Sequence, residues 1–317
     1  MKVAVLAGGA SLEREVSLRS GRRVQTALAS SGHDARVLDP AEIPLADALA
    51  REEYDVSYIT LHGVEGEDGT VQRLLDLLEI PYTGTAPFSC QVAFDKPLAK
   101  ESLAAAGIAT PPWITVQAAA LRDLGAGAAL HRIIERLGLP LVVKPARAGS
   151  AMGLRFVDTE ADFPAAVMGA LSFSDAVVVE GRIEGSEVAV GLLGAPAAAL
   201  PLVEVVPKSG VYDYASRYTA GATEYHAPAR VPPDVGAACE GESLRAFETL
   251  GLRDVARADL MVDADGNPWV LEVNVAPGMT ETSLLPMAAQ AGGLSFEELC
   301  ERVLDLAVAR SRSRAGG

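Results

Sequence analysis

The sequence predicts a mixed α/β protein that opens with a doubly wound parallel sheet. Over roughly the first 90 residues, apolar strand patterns alternate with helical patterns, an order typical of parallel sheets. The rest of the chain mixes strand patterns with helical ones, which indicates further α+β units. With 317 residues, 49% of them hydrophobic, the chain is long enough for two or three domains with their own cores.

The N-terminal unit is predicted to alternate strands with helices. Its first strand ends in the glycine pair Gly8-Gly9, and its third ends just before His62 and a glycine-rich turn. The carboxyl ends of parallel strands meet at one edge of a sheet, where open α/β folds bind their ligands. The predicted elements are strands Lys2–Ala7, Asp34–Asp39 and Val56–Leu61, and helices Ser17–Ser30 and Gly69–Leu78.

Two further units follow along the chain. The second begins at Asp95, which is suited to cap a helix that has Pro97 in its first turn. In the third, the connection Pro207–Thr223 is rich in Gly, Ser and Tyr, and its length predicts a functional lid. The predicted strands are Leu141–Lys144, Ala176–Glu180, Val188–Leu193, Leu202–Val206, Ala258–Val262 and Trp269–Val273, and the predicted helices are Gly236–Leu250 and Ser295–Ala309.

The composition excludes several classes of partner. Acidic residues exceed basic ones by 42 − 27 = 15, and a surface of this sign repels nucleic acid and anionic lipid. An anionic small substrate would therefore need a local cluster of lysines and arginines. We expect a cytoplasmic protein, because no apolar stretch is long enough for a membrane span, no secretory signal pattern is present, and the cysteines form no disulfide framework.

The most informative segment is a predicted hairpin, formed by two alternating apolar runs around Asp265-Gly266. This pair favours a two-residue turn, because glycine accepts the positive φ that a tight turn demands. Such a turn pairs Ala264 with Asn267. Counting back along the ladder then places Asp259 opposite Glu272.

The same register places Arg257 opposite Asn274, on the face that carries Asp259 and Glu272. Two carboxylates, an amide oxygen and a guanidinium therefore converge. Mg²⁺ favours such hard oxygen ligands and usually completes its shell with water and substrate phosphate. A salt-bridged hairpin face without a metal is the alternative.

Two strand ends of the N-terminal unit carry further candidates. Gly8-Gly9 lets a ligand approach the backbone, although the GxGxxG fingerprint of dinucleotide sites is absent. Glu13, a few residues on, is suited to hold a cationic group, or else is a helix N-terminal acid favoured by the helix dipole. His62 follows another buried strand, where a lone histidine is more often structural.

The strand that ends at Lys144 opens the second strong segment. A lysine there is costly to bury without an anion, so we favour a phosphate ligand over a surface lysine with a buried stem. Gly149, Ser150 and Gly153 follow in a loop of small residues, typical of loops that cradle phosphates through backbone N–H groups. No Walker A pattern is present. Glu180 ends the next apolar strand, but the spacing of its neighbouring acids alone favours solvated loop residues.

In this order, the segments resemble the ATP-grasp ligases, and most closely the D-alanine–D-alanine ligase family. The similarity covers nearly the whole chain, and the order and spacing of the segments make it specific. The matching segments are Gly8-Gly9 with residues 13–18, His62-Gly63 with residues 66–70, Asp95-Lys96, residues 143–145, Gly149-Ser150, residues 212–214 with Tyr218, Arg257 with Asp259, and residues 272–274 with residues 277–280.

The resemblance implies an ATP-grasp fold of three domains, with ATP between the central and the C-terminal domain. The implied domains are an N-terminal α/β substrate domain at 1–94, a central subdomain at 95–182, and a C-terminal catalytic domain at 183–312 with its lid at 207–223. Residues 313–317 form a tail.

The resemblance also implies the ligands of the metal and the nucleotide. Asp259, Glu272 and Asn274 would hold two Mg²⁺ ions, or Mn²⁺ in their place. Arg217 stands where a phosphate-binding lysine is expected. The other implied ATP ligands are Lys96 and Lys144 at the phosphates, and Glu180 and Glu187 at the adenosine.

The implied amino-acid ligands come from all three units. Glu13 would take the ammonium group of the first D-alanine, in a network with Ser150 and Tyr218. Arg257 and the N–H of Gly278 would form an oxyanion hole. The remaining implied substrate residues are His62, Ser283 and Leu284, with the last two at the carboxylate of the second substrate.

The implied activity is the ATP-dependent joining of two D-alanines through an acyl phosphate, for peptidoglycan precursors. D-Alanine and ATP are the expected small-molecule partners, and we expect a homodimer that contacts neither nucleic acid nor a membrane. One alternative is a related ATP-grasp ligase of secondary metabolism or antibiotic self-resistance that uses another second substrate. A non-catalytic nucleotide-binding paralogue is a further alternative, against which the intact metal set argues.

Several residues depart from the pattern of the family. Arg217 replaces a lysine, so that a planar fork stands where a point charge is expected. Tyr218 stands where members that use D-lactate carry histidine, which predicts a dipeptide product rather than an ester. The other departures are Ala146, Ala148 and Ala151 in the loop after Lys144, and Gly181 after Glu180. These departures bear on ATP affinity and substrate range.

Overall fold

Three sheets organise the described part of the chain. The structure is a computed structural model that describes residues 1–213, 216–217, 219 and 221–315, with the backbone alone at residues 123, 124, 126 and 313–315. Among these residues, no helix is long and apolar enough to cross a membrane.

The first sheet is parallel, with the strand order β2-β1-β3. On one face, Val5 packs with Val24 of the first helix. On the other, Leu6 packs with Leu49 and Leu75 of the next two helices. Helices therefore cover both faces, as predicted for a doubly wound sheet. The elements are β1 (Lys2–Leu6), α1 (Arg14–Ser30), β2 (Asp34–Leu38), α2 (Leu45–Arg51), β3 (Val56–Ile59) and α3 (Thr70–Leu77).

The second sheet is antiparallel, with the order β4-β7-β5-β6. The Oδ1 atom of Asp95 accepts the N–H of Leu98 at 3.2 Å, so Asp95 caps helix α5 as predicted. Val143 and Val179 of the sheet pack against Phe163 of α8. The elements are α4 (Pro87–Phe94), α5 (Lys96–Ala105), β4 (Trp113–Gln117), α6 (Ala118–Leu124), α7 (Ala126–Leu137), β5 (Leu141–Pro145), β6 (Arg155–Val157), α8 (Phe163–Leu171) and β7 (Ala176–Gly181).

The third sheet is antiparallel, with the order β11-β10-β8-β12-β13, and β9 pairs with β8. Val190 and Ala258 of its central strands pack with Phe247 of α9. The elements are β8 (Ser186–Gly194), β9 (Ala197–Ala199), β10 (Val203–Pro207), β11 (Thr223–His226), α9 (Pro233–Thr249), β12 (Asp254–Val262), β13 (Pro268–Asn274), α10 (Leu284–Ala291) and α11 (Phe296–Ala315).

Helix α11 returns from the third sheet to the first. Leu299 and Val303 of this helix are almost fully buried and share one core with Val3 and Val5 of β1. The helix predicted at Ser295–Ala309 spans Phe296–Ala315 in the structure. Its buried residues complete the apolar face of the N-terminal sheet.

The predicted lid connects β10 to β11, which pair as an antiparallel hairpin. The N–H of Lys208 donates to the carbonyl of Ala222 at 2.9 Å at the base of this connection. Four residues of the connection, Tyr214, Ala215, Tyr218 and Ala220, lie outside the described residues, and so does the role predicted for Tyr218.

Candidate active site

Two adjoining cavities lie where the three sheets meet. The larger measures about 510 Å³, within the usual range of small-molecule sites, and lies between the second and third sheets. The smaller measures about 100 Å³, and residues from all three units bound it. Lys96, Tyr212, Arg217 and Glu272 line both cavities, so groups bound in one lie next to groups bound in the other.

Strands β12 and β13 carry acidic and amide side chains to the boundary between the cavities. Asp259 pairs with Glu272 and Arg257 pairs with Asn274, in the register predicted from the sequence. All four side chains lie on the side of the hairpin that faces the cavities. Arg257 and Asn274 line the smaller cavity, Asp259 lines the larger one, and Glu272 lines both.

The turn of this hairpin differs from the prediction. The N–H of Asp263 donates to the carbonyl of Asn267, so the loop contains three residues, with Gly266 at φ 84°. Ala264 therefore does not pair with Asn267. The register then shifts by one residue at a bulge between Asp259 and Leu260, which offsets the longer turn.

Arg257 and Asp259 form a bidentate ion pair. The Nε atom of Arg257 donates to Oδ1 of Asp259 at 2.6 Å, and Nη2 donates to Oδ2 at 2.7 Å. Burial opposes the charge on Arg257, but Asp259 outweighs it and raises the pKa of the guanidinium. A guanidinium has five N–H donors and a carboxylate about four lone pairs, so both partners retain capacity for other ligands.

Cations surround Glu272. Its Oε2 atom lies 3.6 Å from Nζ of Lys96. Burial raises the pKa of Glu272, but the positive charges of Lys96, Arg217 and Lys144, in that order, outweigh burial and lower the pKa to about 2. Glu272 is therefore ionised at neutral pH, and ionised carboxylates are the form that binds cations.

The donors near Glu272 fit Mg²⁺. Asp259 and Glu272 supply two carboxylates, and Mg²⁺ usually takes one or two from the protein and the rest from water and phosphate. The Oδ1 atom of Asn274 accepts the N–H of Ala276 at 2.9 Å, which fixes the amide beside them. Within the residues that the structure describes, no group of three His, Cys, Asp or Glu side chains is close enough to hold a metal by itself. A phosphate-bridged ion suits this arrangement better than an all-protein site.

The loop after β5 is tied to the start of helix α5. The N–H of Lys96 donates to the carbonyl of Ala146 at 3.0 Å, and its Nζ donates to the carbonyl of Ala148 at 2.6 Å. The guanidinium of Arg147 meets Asp95 at 2.8 Å. These contacts hold the predicted phosphate-binding loop against the wall that both cavities share.

Lys144 projects from β5 into the larger cavity and is nearly fully buried. Its Nζ lies 2.7 Å from Oε2 of Glu180, at the end of β7. Burial lowers the pKa of Lys144, but Glu180 outweighs it, and the net pKa is raised. Lys144 therefore remains a cation in the wall of the cavity.

Glu13 lies between two glycines in the smaller cavity. A Cβ built on Gly63 would lie 2.8 Å from its Oε2 atom, and one built on Gly149 would lie 2.4 Å from the same atom. The hydroxyl of Ser150 donates to Oε1 of Glu13. Burial raises the pKa of Glu13, while this hydrogen bond acts in the opposite direction. Only residues without a side chain at both positions allow the loop to approach the carboxylate so closely.

Glu67 is a second buried acid in this cavity. Its Oε2 atom accepts the N–H of Gly63 at 2.9 Å. Burial, followed by the charge of Glu13, raises the pKa of Glu67 well above its ordinary value. Two buried acids side by side make this end of the cavity a place for an ammonium group.

His62 contacts the loop that carries Gly278. Its Nε2 atom lies 3.4 Å from the hydroxyl of Ser20, which accepts the N–H of Met279 at 3.1 Å. Burial lowers the pKa of His62 to about 4, so the imidazole is neutral at pH 7. Arg23 lies on helix α1, as Ser20 does, and donates to the carbonyls of Met279 and Thr280 at 3.0 and 2.9 Å. These hydrogen bonds hold the backbone next to Gly278.

The loop from Gly278 ends at the N-terminus of helix α10. Ser283 is the residue before the helix, and its hydroxyl accepts the N–H of Thr280 at 3.0 Å. Ser283 and Leu284 line the smaller cavity, and among the described residues no side chain caps the helix, so its first N–H groups lack a capping acceptor. Helix N-termini of this kind attract anions.

Arg217 stands between the two cavities. Its guanidinium stacks on the ring of Tyr212 at 4.3 Å, and its Nε atom is buried without a hydrogen-bond partner among the described residues. Glu187, in the wall of the larger cavity, has a pKa raised to about 7 because burial outweighs the charge of Arg217. An anionic ligand would supply the acceptor that Arg217 lacks.

All the predicted site residues that the structure describes line these two cavities. The smaller cavity contains Glu13, His62, Ser150, Arg257, Asn274, Gly278, Ser283 and Leu284; the larger contains Lys144, Glu180, Glu187 and Asp259; Lys96, Arg217 and Glu272 border both. Glu67, which lies in a segment that matches the family, and Lys100 are functional candidates to which the sequence assigned no role. Lys100 follows Lys96 by four residues on one helix, a spacing that places both on the same face.

Comparison with known proteins places these features in one family. A family model described as D-ala D-ala ligase C-terminus matches residues 103–305, and one described as D-ala D-ala ligase N-terminus matches residues 39–85. The D-alanine–D-alanine ligase of Pelotomaculum thermopropionicum is 41% identical over 97% of this chain and 97% of its own length. The D-alanine–D-alanine ligase of Syntrophotalea carbinolica is 45% identical over 96% of this chain and 95% of its own length.

Solved structures agree with these relatives. The D-alanine–D-alanine ligase of Bacillus anthracis superposes with a TM-score of 0.85 and 29% identity, with 99% of each chain covered. Its complex with ATP gives a TM-score of 0.84 at 28% identity and the same coverage. The similarity thus extends over both cavities and all three sheets.

Proposed function

Since the chain belongs to the D-alanine–D-alanine ligase family, we infer that it uses ATP to join two D-alanine molecules into D-alanyl-D-alanine, a peptidoglycan precursor. One observation carries this function: a nucleotide-sized cavity and a small polar cavity share a wall of Lys96, Arg217 and Glu272. A phosphoryl group held at that wall would be within reach of a small carboxylate on the other side.

The larger cavity is proposed to hold ATP. Phe156, Met261 and Leu271 give it apolar walls for a base, and Lys144 and Arg217 supply cations for phosphates. The buried, unpartnered Nε of Arg217 favours an oxygen acceptor at that point. The peptide groups after Glu180 and the side chain of Glu187 are the proposed adenosine contacts.

Asp259, Glu272 and Asn274 are proposed to hold Mg²⁺ between protein and phosphates. Bound there, Mg²⁺ would neutralise charge that develops on the phosphoryl oxygens. Lys96 and Arg217 are proposed to act beside it, since their charges, together with that of Lys144, already outweigh burial at Glu272.

The smaller cavity is proposed to hold both alanines. The ammonium group of the first is proposed to lie at Glu13 and Glu67, two buried acids whose pKa values are raised mainly by burial, because a nearby positive charge would favour their ionised forms. The carboxylate of the second lies at Ser283 and the N-terminus of α10, where backbone N–H groups and the helix dipole favour an anion.

The reaction follows from this placement. The carboxylate of the first D-alanine attacks the γ-phosphorus, the bond to the ADP oxygen breaks, and an acyl phosphate forms. The amine of the second D-alanine, after loss of a proton, attacks the acyl carbon, and inorganic phosphate leaves. N–H groups of Arg257 and Gly278 are proposed to hold the oxyanion, an effect typically worth about 3 kcal/mol per donor. Closure of the 207–223 connection would keep water from the acyl phosphate.

We also propose that the enzyme is a homodimer. Leu77 at the end of α3 and Phe88 at the start of α4 are 79% and 73% exposed, and these two helices are neighbours. Large exposed apolar residues on two adjoining helices favour burial against a second copy. Light scattering coupled to gel filtration measures the mass, and Leu77→Glu with Phe88→Glu should convert a dimer to a 33.0 kDa monomer.

We propose the cytoplasm as the compartment. ATP is available there, and all three cysteines, Cys90, Cys239 and Cys300, are buried free thiols. Fractionation of cells that express the full chain tests this placement.

Phosphate release with ATP and Mg²⁺ tests the ligase function. D-Alanine should stimulate release with one D-alanyl-D-alanine formed per phosphate, as measured by mass spectrometry, whereas L-alanine should not. Panels that pair D-alanine with D-serine, D-lactate and other amino acids define the second substrate. A mixed product in preference to D-alanyl-D-alanine would favour a ligase of different specificity, and no stimulation by any amino acid would contradict ligase function.

A further inference from the structure

Lys100 is a buried cation that lines neither cavity. It is 2% exposed and is the largest of the fully buried side chains in the described part of the chain. Its Nζ lies 2.5 Å from Oγ1 of Thr110 and 5.2 Å from the centre of the Trp113 ring. Helix α5 therefore directs a charge inward, behind the wall of the larger cavity.

A single carboxylate joins Lys100 to that wall. The Oε1 atom of Glu180 lies 3.0 Å from Nζ of Lys100, and its Oε2 atom lies 2.7 Å from Nζ of Lys144. The side chain of Glu180 is 3% exposed, so water does not compete for either oxygen. Each oxygen faces its own lysine, and because Oε1 has no hydrogen-bond partner among the described residues, its contact with Lys100 is an ion pair.

Lys100, Glu180 and Lys144 form a row of charges that do not balance. Two lysines face one glutamate, so the row carries one net positive charge, and its end at Lys144 opens into the larger cavity. Burial lowers the pKa of Lys100 to about 8, while Glu180 acts in the opposite direction. An isolated pair of Lys144 and Glu180 would instead be neutral and present little field to a phosphate.

Filling space does not explain a lysine at this position. Replacing buried ionic groups with apolar side chains of similar size is often neutral or stabilising, because desolvation of each ion costs several kcal/mol by general estimates. Methionine would fill the volume of Lys100 between Thr110 and Trp113 without that cost. Methionine cannot supply a second ion pair to Glu180 or the positive charge that Lys100 places beside it.

We propose that Lys100 is a positioning residue for ATP, which acts through Glu180 to fix Lys144 at the phosphate side of the larger cavity. The inference rests on the proposed function of that cavity. Without Lys100, Glu180 keeps one anchor, turns about its own side-chain bonds, and neutralises Lys144 rather than orienting it. Binding of ATP should weaken while the amino-acid cavity is unaffected.

Kinetics of Lys100→Met test the proposal. The KM for ATP should rise tenfold or more, while the KM for D-alanine should change less than twofold. Lys2→Met, which removes a lysine from the far side of the N-terminal sheet, is the matched control and should leave both constants unchanged. Equal KM values for ATP in Lys100→Met and wild type would overturn the proposal.

A double-mutant cycle tests whether the effect passes through Glu180. In Lys100→Met with Glu180→Gln, the loss of ATP affinity should be no larger than in the weaker-binding single variant, because both changes break one connection. Multiplication of the two effects would show that Lys100 acts independently and would overturn the proposal.

Two further measurements keep the test decisive. Calorimetric binding of ADP needs no amino acid, so it reports on Lys100 even if the enzyme does not join D-alanine. If Lys100→Met does not fold, Thr110→Val is the second variant, because it removes the hydroxyl that accepts from Nζ of Lys100 at 2.5 Å. The KM for ATP should rise about threefold, less than for the full loss of a charged hydrogen bond. An unchanged KM in that variant would count against the proposal.

Discussion

Gly149 lies directly against the carboxylate of Glu13: a Cβ on Gly149 would come within 2.4 Å of Oε2 and 2.8 Å of Oε1. The atoms it would meet are the far end of a flexible side chain, which is free to turn away. A side chain at Gly149 should therefore displace Glu13 rather than unfold the loop.

Gly149→Ala should accordingly raise the KM for D-alanine by roughly tenfold to a hundredfold, the effect of losing one charge-assisted hydrogen bond. The KM for ATP and the melting temperature should change little. Gly241→Ala is the control, since a Cβ there meets nothing within 4 Å. A loss of stability with unchanged KM values would show that Gly149 serves the backbone of the loop rather than Glu13.

Glu272→Gln should remove turnover while the protein remains folded. The amide keeps the shape of the side chain but loses the negative charge that a pKa of about 2 maintains at every physiological pH. Phosphate release measures turnover and circular dichroism measures folding, with the exposed Glu240→Gln as control. Turnover within a few-fold of wild type would rule out Glu272 as a metal ligand.

Arg217→Ala should lower kcat/KM for ATP by roughly tenfold to a hundredfold, as expected for one charged contact of about 1.5–3 kcal/mol. The product spectrum should stay the same. Arg217→Lys, which restores the residue usual in the family, should recover most of the loss. If Arg217→Ala instead changes which amino acids are accepted, Arg217 belongs to the amino-acid site.

His62 should make the protein less stable in acid. Its pKa is about 4 in the folded protein and about 6.5 when unfolded, so only the unfolded state takes up a proton as the pH falls between these values. Stability present above pH 6.5 is lost toward pH 4, by up to about 3 kcal/mol.

Urea unfolding at pH 7 and pH 4.5 measures this effect. The drop in unfolding free energy should be smaller in His62→Gln than in wild type. His131→Gln, which removes an imidazole that is 59% exposed, should leave the drop unchanged. Equal drops in His62→Gln and wild type would mean that His62 is not held neutral by burial.

The facing pair of Asp259 and Glu272 shows both the reach and the limit of sequence reasoning. Alternation of apolar residues placed both acids on one face, and the Asp265-Gly266 pair placed a turn between the strands. The three-residue loop and the bulge were not foreseen, and the predicted pairing was right because each shifts the register by one residue in opposite directions. No local pattern distinguishes a two-residue turn from a three-residue one when both end in glycine at positive φ.

Glu180 shows where tertiary contacts override a local reading. Its position at a strand end predicted a solvated acid, and the family resemblance placed it at the adenosine. In the folded chain its carboxylate is buried between two lysines, one of which lies 80 residues earlier on helix α5. The packing of α5 against the second sheet brings these charges together, and periodicity within one segment carries no information about it.

Strands of three residues were also beyond prediction. Arg155–Val157 and Ala197–Ala199 are too short to show alternation, and they exist because a longer neighbour offers unpaired backbone groups. The site was more predictable than these short strands. A charged residue at the end of an apolar strand costs free energy to bury without a partner, so its presence in the sequence indicates a ligand.

The shared core of helix α11 and strand β1 also orders events during synthesis. Val3 and Val5 are synthesised about 300 residues before Leu299 and Val303, the residues of α11 that cover part of their apolar face. Part of the apolar face of the nascent N-terminal sheet therefore remains exposed until α11 has been made. A premature stop before α11 should yield a chain that chaperones retain and proteases clear, even though nearly every residue around the two cavities has already been made.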